Sequence, residues 1–407
     1  MYSFYFSCRR YYSVQQTKRD HQISHYLVIQ WIMAVVYLPH DAIDNSSDDE
    51  VAEMIMITTN SPLKPIADPN MPLIRFICEV TISLPVAIFG IFGNILAFVV
   101  LRRQKKRLTT NVLLQTLAVI DTLILICSIL LRSMRYVNWS SYNDVYHYIF
   151  ISLYPCVYFF RMADTWITVL MTVDRYIAVC HPLKAQRLCT LRRTYVIISV
   201  IFFTTFTFSM PRFFEFELTD ELSLTTVGYI HTELVLNRTY TVLYRIILFF
   251  VVMYLVPMIS LMALNIRLLQ TIRRASRNRD SMVSEGNLRN KDGGHNAMTS
   301  SRHVTLTVVA VVIVCVICNM IAMTTHVIWA IQICFRNLRY LEMYRRFLAN
   351  ISNIMITFNS AINFVIYCVF SRKFRVGLKR TLRCRKLFKM ESGLRSVRQS
   401  KGSITWS

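Results

Sequence analysis

The chain has 407 residues, with 46 Lys plus Arg against 23 Asp plus Glu, so it carries a formal charge of +23 although only 17% of its residues are charged and 54% are hydrophobic. An ordinary soluble domain has about a quarter of its residues charged, and a disordered chain lacks the Phe, Tyr, Leu, Ile and Val that abound here. Both classes are excluded, and lipid is the solvent that this composition fits.

In chain order, residues 1–75 read as an outer tail. Within it, 26–38 is apolar, follows Arg9, Arg10, Lys18 and Arg19, and is too short to span a bilayer; it reads equally as a signal-peptide core or as an unstructured extension. Residues 39–72 carry Asp41, Asp44, Asp48, Asp49, Glu50 and prolines, a solvated composition. Seven apolar runs follow, at 80–101, 111–131, 149–173, 194–211, 246–266, 304–331 and 347–370, each meeting the roughly 18 to 20 residues a spanning helix needs. Five carry no charge. The second contains Asp121, and the third contains Arg161 and Asp164. An ionised group at mid-membrane costs about 2.5 to 3.5 kcal/mol on an insertion scale, so these three are expected to face the bundle interior. The expected fold is an all-α seven-transmembrane bundle over 76–370, a membrane-surface amphipathic helix over 371–385, and a cytoplasmic tail over 386–407.

If the N-terminus is outside, the inner segments 102–110, 181–193, 271–303 and 371–407 together net +24 and the rest of the chain nets −1. That places the whole excess on one side, as the positive-inside rule requires. The basic excess thus faces anionic inner-leaflet lipid rather than nucleic acid. Sequons at Asn45, Asn138 and Asn237 fall in segments this topology puts outside, as glycosylation requires; one at Asn350 lies too near the seventh run.

No phosphate loop, metal spacing or nucleophile motif is present, which argues against an enzyme, and the cysteines inside the runs read as small hydrophobes. The buried polar residues do form a pattern. At about 100° per residue, Arg161, Asp164 and Arg175 fall within about 60° of arc on the third helix, and Asn353, Ser360, Asn363 and Tyr367 within about 80° on the seventh. The second stripe, with Asn359 beside it, can meet Asp121 across the bundle, and Asn94 adds a further buried amide. These groups predict a hydrogen-bonded core able to hold water or a cation and to exchange partners when helices shift. Asp121 and Asp164 are a candidate sodium site. Arg161 either pairs with Asp164 at i, i+3 or receives a ligand carbonyl.

These residues resemble the rhodopsin-like G-protein-coupled receptors. Asp174-Arg175-Tyr176, continuing IAVCHPL to Leu183, is similar to that family's inner end of span three; Gly93-Asn94, LAVID at 117–121, Pro257 and Asn363 to Tyr367 fall in order. Phe374 and Leu378, among Arg372, Lys373, Arg375 and Lys379, look like its surface helix, with Cys384 as a palmitoylation site. The resemblance covers about residues 76–385 and implies that Arg175, partnered by Asp174, is locked at rest and contacts a heterotrimeric G protein when active. DRYIAVCHPL, LCT at 188–190, SMPRFFE at 209–215 and SNIMITFNSAINFVIYCVF at 352–370 further resemble invertebrate FMRFamide receptors, as do Phe364 in place of Pro and Asn265 in place of Tyr. This implies a plasma-membrane receptor for an amidated RFamide-type neuropeptide. Two departures stand out. Residues 212–245 contain no Cys and Phe150 takes the expected span-three cysteine position, so the outer-loop disulfide is missing. In span six, Asn319 to Ala322 replace the family's Cys-Trp-x-Pro turn.

The second outer loop carries Glu215, Glu217, Asp220, Glu221 and Glu233 against Arg212 and Arg238, a rim suited to a cationic peptide. An Arg-Phe-amide end needs a carboxylate and an apolar slot; Glu79, Glu215 and Glu217 are candidates for the first, and Met320, His326 and Trp329 for the second. Alternative readings are an orphan or chemosensory receptor for a small molecule, and an ion-coupled transporter or channel using Asp121, Arg161 and Asp164. The chain lacks the two similar halves many transporters show.

Overall fold

A computed structural model of the chain describes residues 71–104, 108–133, 136, 142–218, 229–284, 292–334 and 341–382. The apolar segment 26–38, Asn45, Asn138 and Cys384 lie outside the described residues. Among the described residues, seven helices are long and apolar enough to cross a membrane: Met71–Arg102, Thr109–Ser133, Tyr146–Cys180, Leu191–Phe214, Tyr240–Arg274, Thr305–Cys334 and Leu341–Phe370. They coincide with the seven runs read from sequence and extend most of them by several residues. We number them spans one to seven.

Span three is the inner part of a helix, Tyr142–Cys180, of 39 residues. At about 1.5 Å per residue that is roughly 58 Å, nearly twice the hydrocarbon thickness of about 30 Å. Its first turns meet the second outer loop, His147 and Phe150 lying against Tyr229. That loop folds back as a hairpin of β1 (Phe216–Leu218) and β2 (Tyr229–His231), antiparallel, with Phe216 opposite His231 and Leu218 opposite Tyr229. The outer ends of spans one, two and five are wound as wide π-helical turns over Ile77–Ser83, Ile129–Ser133, Tyr240–Leu248 and Val251–Leu255. Such turns shift the register of side chains toward an interior site.

The largest cluster of buried side chains runs through the inner half: Leu113, Leu117, Ile120 and Ile124 from span two, Ala163, Ile167 and Met171 from span three, Leu261 from span five, Val308 and Val312 from span six, and Tyr367 and Phe374 beyond. A second cluster sits under the hairpin, with Met162, Phe249, Met253, Tyr254 and Ala322. Span four contributes one narrow face, Thr194, Ile198, Thr205 and Ser209, and leaves residues such as Phe203 to lipid.

Spans one and seven approach closely because span one offers Ala87, Gly90, Gly93 and Ala97 on its buried face. A Cβ at position 90 would lie 2.6 Å from the Ala361 Cβ, and one at 93 would lie 2.8 Å from the Phe364 Cβ. Small residues are what permit such contact between membrane helices. Past span seven, a helix over 372–382 buries Phe374 against Tyr367 and Phe364, with ring centroids at 5.6 and 6.0 Å. Arg375 donates to the carbonyls of Cys368 (3.0 Å) and Val369 (2.6 Å), satisfying acceptors that a helix end leaves open.

Candidate functional site

At the inner face, Asp174 is gripped from both sides. Thr109 and Thr110, the first residues of span two, donate their hydroxyls to its Oδ1 and Oδ2 at 2.8 and 3.0 Å. Arg175 donates from Nη2 and Nε to Oδ2 at 2.6 and 3.1 Å. Asp174 and Arg175 are both buried, and charge-assisted bonds of this length are the strong kind. Tyr176 packs edge-on against His181. Cys189 lies beside them, its Sγ 3.9 Å from the Asp174 carbonyl. Burial and the Asp174 charge push that thiol up to about 11, so it stays an unreactive thiol. Cys180 and Thr271, at 3.3 Å, tie span three to span five.

At mid-bundle, Asn363 donates to Asp121 Oδ2 at 2.7 Å and Asn94 to the Ser360 carbonyl at 2.8 Å, joining spans two, seven and one. Asp121 is fully buried. The Asp121 Oδ1 and the Tyr367 hydroxyl have no hydrogen-bond partner. Next to this core lies a small cavity, of about 10 Å³, lined by Arg161, Asp164, Asn319, Asn359 and Ser360 together with apolar neighbours. Arg161 and Asp164 share that cavity, but among the described residues no ion pair within 4 Å joins them, and the Arg161 Nη2 is buried without a partner.

At the outer face, Glu215 is fully buried. Its Oε1 receives the Tyr240 hydroxyl at 2.9 Å and faces Arg212 at 3.5 Å and Arg245 at 3.4 Å. Both guanidinium contacts have ion-pair distance without the alignment of a hydrogen bond, and the Glu215 Oε2 has no partner. Arg212 lies between the faces of Tyr158 and Phe249, 4.0 and 4.4 Å from their centroids. Arg245 lies over Trp329 at 5.3 Å. His326 donates from Nε2 to the Ile246 carbonyl at 3.2 Å and is ringed by Phe249, Phe250, Tyr254 and Trp329.

All nine described cysteines are free, and aromatic contacts hold the outer loop, whose family disulfide the sequence already lacks. Phe150 stacks on Tyr229 of β2, with centroids 4.4 Å apart and planes at 12°, and meets Phe216 of β1 edge-on at 5.4 Å. Tyr154, one turn further in, meets Phe216 at 5.0 Å.

The ligand residues expected from sequence are thus dispersed. Glu79 is buried at the outer end of span one, where it accepts from Arg75 (3.3 Å) and Tyr136 (3.0 Å). Glu215 is taken up internally. Glu217 is exposed on β1. His326 and Trp329 pack together beside Arg245, but Met320 does not join them: it is 42% exposed, on the same face of span six as Ile313 and Ile317, the stripe that meets lipid. Asn237 is exposed, its Oδ1 accepting the backbone N–H of Tyr240 at 3.1 Å. Sequence reasoning did not single out Thr109, Thr110, Tyr240 or Arg245, and it counted Arg212 only as loop charge. The signal that was present is Arg212 three residues before Glu215, an ion-pairing interval.

Residues 93–367 match the family described as 7 transmembrane receptor (rhodopsin family). The chain is 30% identical to the FMRFamide receptor of Drosophila melanogaster over 74% of its own length and 52% of that protein. It is 28% identical to an FMRFamide peptide receptor of Caenorhabditis elegans, over 72% and 67% of the two chains. With the thyrotropin-releasing hormone receptor of Mus musculus the identity is 31%, over 75% and 80%. The chain spans about half the length of the Drosophila relative. With its seven spans, its Asp174-Arg175 pair at the inner end of the third and its Asn363–Asp121 bond in the middle, the chain belongs to the rhodopsin family of seven-transmembrane receptors.

Proposed function

We propose that the protein is a plasma-membrane receptor, N-terminus outside, that binds an amidated RFamide-type neuropeptide and activates a heterotrimeric G protein. The observation that carries the reading is the Asp174–Arg175 latch. Arg175 is the group a G protein would meet, and it is held by a carboxylate that two hydroxyls of span two pin in place. A ligand that binds a state with the latch open more tightly than the closed one shifts the population toward it. Asn363, Tyr367 and Asn94 are the relay in this reading, because each bonds across helices or carries an unpartnered polar atom. The RFamide class draws its support from the named specificity of two relatives and from the exposed acidic Glu217 at the rim.

Sodium fits the core as a further ligand. The unpartnered Oδ1 of Asp121 is a hard oxygen in need of a cation or a water, and Asp121 with Asp164 would hold it. When bound, the ion would offset the repulsion between the two carboxylates.

The test is a screen of amidated peptides on cells expressing the full chain, read by calcium release and nucleotide exchange. An RFamide peptide should give a saturable response, and Arg175→Glu should abolish that response while leaving surface expression and peptide binding in place. Undiminished signalling by Arg175→Glu would refute the mechanism, and ion currents independent of any G protein would point to a transport function instead.

A further inference from the structure

The small cavity at mid-bundle brings together charges of both signs. It is lined by Arg161 and Asp164 of span three, Asn319 of span six, and Asn359 and Ser360 of span seven, and its volume of about 10 Å³ admits a single water-sized occupant. Arg161 precedes Asp164 by three residues, so the two side chains leave the helix about 60° apart and about 4.5 Å apart along its axis. Both line the same space without forming an ion pair within 4 Å, and the Arg161 Nη2 is buried with no acceptor.

Asp121 lies one helical turn away. The cavity-lining Ile124 follows it by three positions on span two, and the cavity-lining Ser360 precedes by three the Asn363 that donates to Asp121 Oδ2 at 2.7 Å. The Asn363–Asp121 bond and the bond from Arg132 to the Asn353 carbonyl show that spans two and seven run antiparallel. Both steps therefore lead from Asp121 in one direction, toward the outer end of the bundle. Asp121 is fully buried, and its Oδ1 has no partner.

Two carboxylates and one guanidinium give this core a net charge of −1, which one monovalent cation balances. The guanidinium is not a bystander. An ion beside Asp164 would share a water-sized space with Arg161, and two like charges a few ångströms apart inside a protein repel by an amount that lowers binding about tenfold or more. A guanidinium and a carboxylate that face one small cavity without touching suit a single bridging water, which accepts from the first and donates to the second.

We propose that Arg161 is a tethered competitor for sodium: it supplies the positive charge for Asp164 through the one water the cavity admits, so the wild-type core binds sodium weakly and a core without the guanidinium binds it tightly. This deepens the sodium reading above and rests on it.

The experiment follows the thermal unfolding midpoint of the purified full chain in lipid nanodiscs as sodium chloride replaces choline chloride at constant ionic strength. Arg161→Gln should reach half of its sodium-dependent rise at a concentration about tenfold or more below that of the wild type. Arg161→Lys, which keeps a charge, should stay near the wild type, and Arg161→Met is the neutral variant to use if the glutamine one does not fold. Adding Asp121→Asn to the neutral variant should abolish the rise. Equal or weaker sodium dependence in the neutral variants, or a lysine variant that behaves like them, would overturn the competitor role and leave the sodium reading standing. No sodium-dependent rise in any variant, or a rise that survives Asp121→Asn, would defeat both.

Discussion

Asp174 accepts from four donors on three residues, and that redundancy makes the latch graded rather than all-or-none. Hydrogen bonds to charged groups contribute about 1.5 to 3 kcal/mol, and every 1.4 kcal/mol is a factor of about ten in an equilibrium. Asp174→Asn should therefore raise ligand-independent nucleotide exchange about tenfold or more. Thr109→Val or Thr110→Val, each removing one neutral donor, should raise it only severalfold; unchanged basal exchange in all three variants would remove the latch from the mechanism. The adjacency of Asp174 and Arg175 is legible in sequence because neighbouring residues need no fold to meet. The threonines are not, since they lie 64 and 65 positions away and Thr at a helix start usually reads as a cap.

His231 on β2 offers a second test at the level of single residues. Removal from water, followed by the Arg245 charge, holds its pKa below the ordinary histidine value, while the nearby Glu215 opposes this. The unfolded histidine binds a proton below about pH 6.5 that the folded one resists, so this contribution to stability is present at neutral pH and is lost as pH falls through that value. Thermal unfolding of the receptor between pH 7.5 and 5.5 should show a drop that His231→Gln reduces.

Among elements, the hairpin and the outer end of span three form one unit. Aromatic pairs contribute about 0.5 to 1.5 kcal/mol beyond burial, and Phe150 makes two such contacts with the strands. Phe150→Ala should lower the unfolding midpoint and peptide affinity, Phe150→Tyr should largely preserve both, and treatment of the wild type with dithiothreitol should leave both unchanged; loss of peptide response under reductant would show that a disulfide holds the loop after all. The missing cysteine was evident from sequence, but its replacement was not. Which ring faces Phe150 depends on the β1–β2 register, and that is set by pairing across a loop rather than by local pattern. The π-helical turns of spans one, two and five were likewise invisible, because hydropathy registers that a run is apolar and long and is insensitive to how tightly it is wound. Met320 misled for a related reason: without the Pro-containing turn of the family, position in the motif no longer tells which face of span six a residue occupies.

For the whole molecule, the number of spans and their order were legible because lipid leaves a chain few options: every backbone polar group in the bilayer must be paired within the chain, which long apolar helices accomplish. Charge asymmetry then predicts how the bundle is oriented, with the basic segments on the inner side. Epitope tags at the two termini of the full chain should be accessible from opposite sides of the membrane, the N-terminal one from outside. Access of both from the same side would contradict an odd number of crossings.

The contact between spans one and seven limits which parts can turn. A methyl group at Gly90 would already lie 2.8 Å from the Ala361 Cα, so the two helices meet there backbone to backbone, and Arg375 fastens the surface helix to the end of span seven. These three helices should therefore behave as a stator. Wedging the stator should therefore harm assembly rather than gating. Gly90→Val, at an overpacking cost of about 1 to 3 kcal/mol, should reduce the amount of receptor reaching the cell surface, while each molecule that arrives there signals with the wild-type dose response.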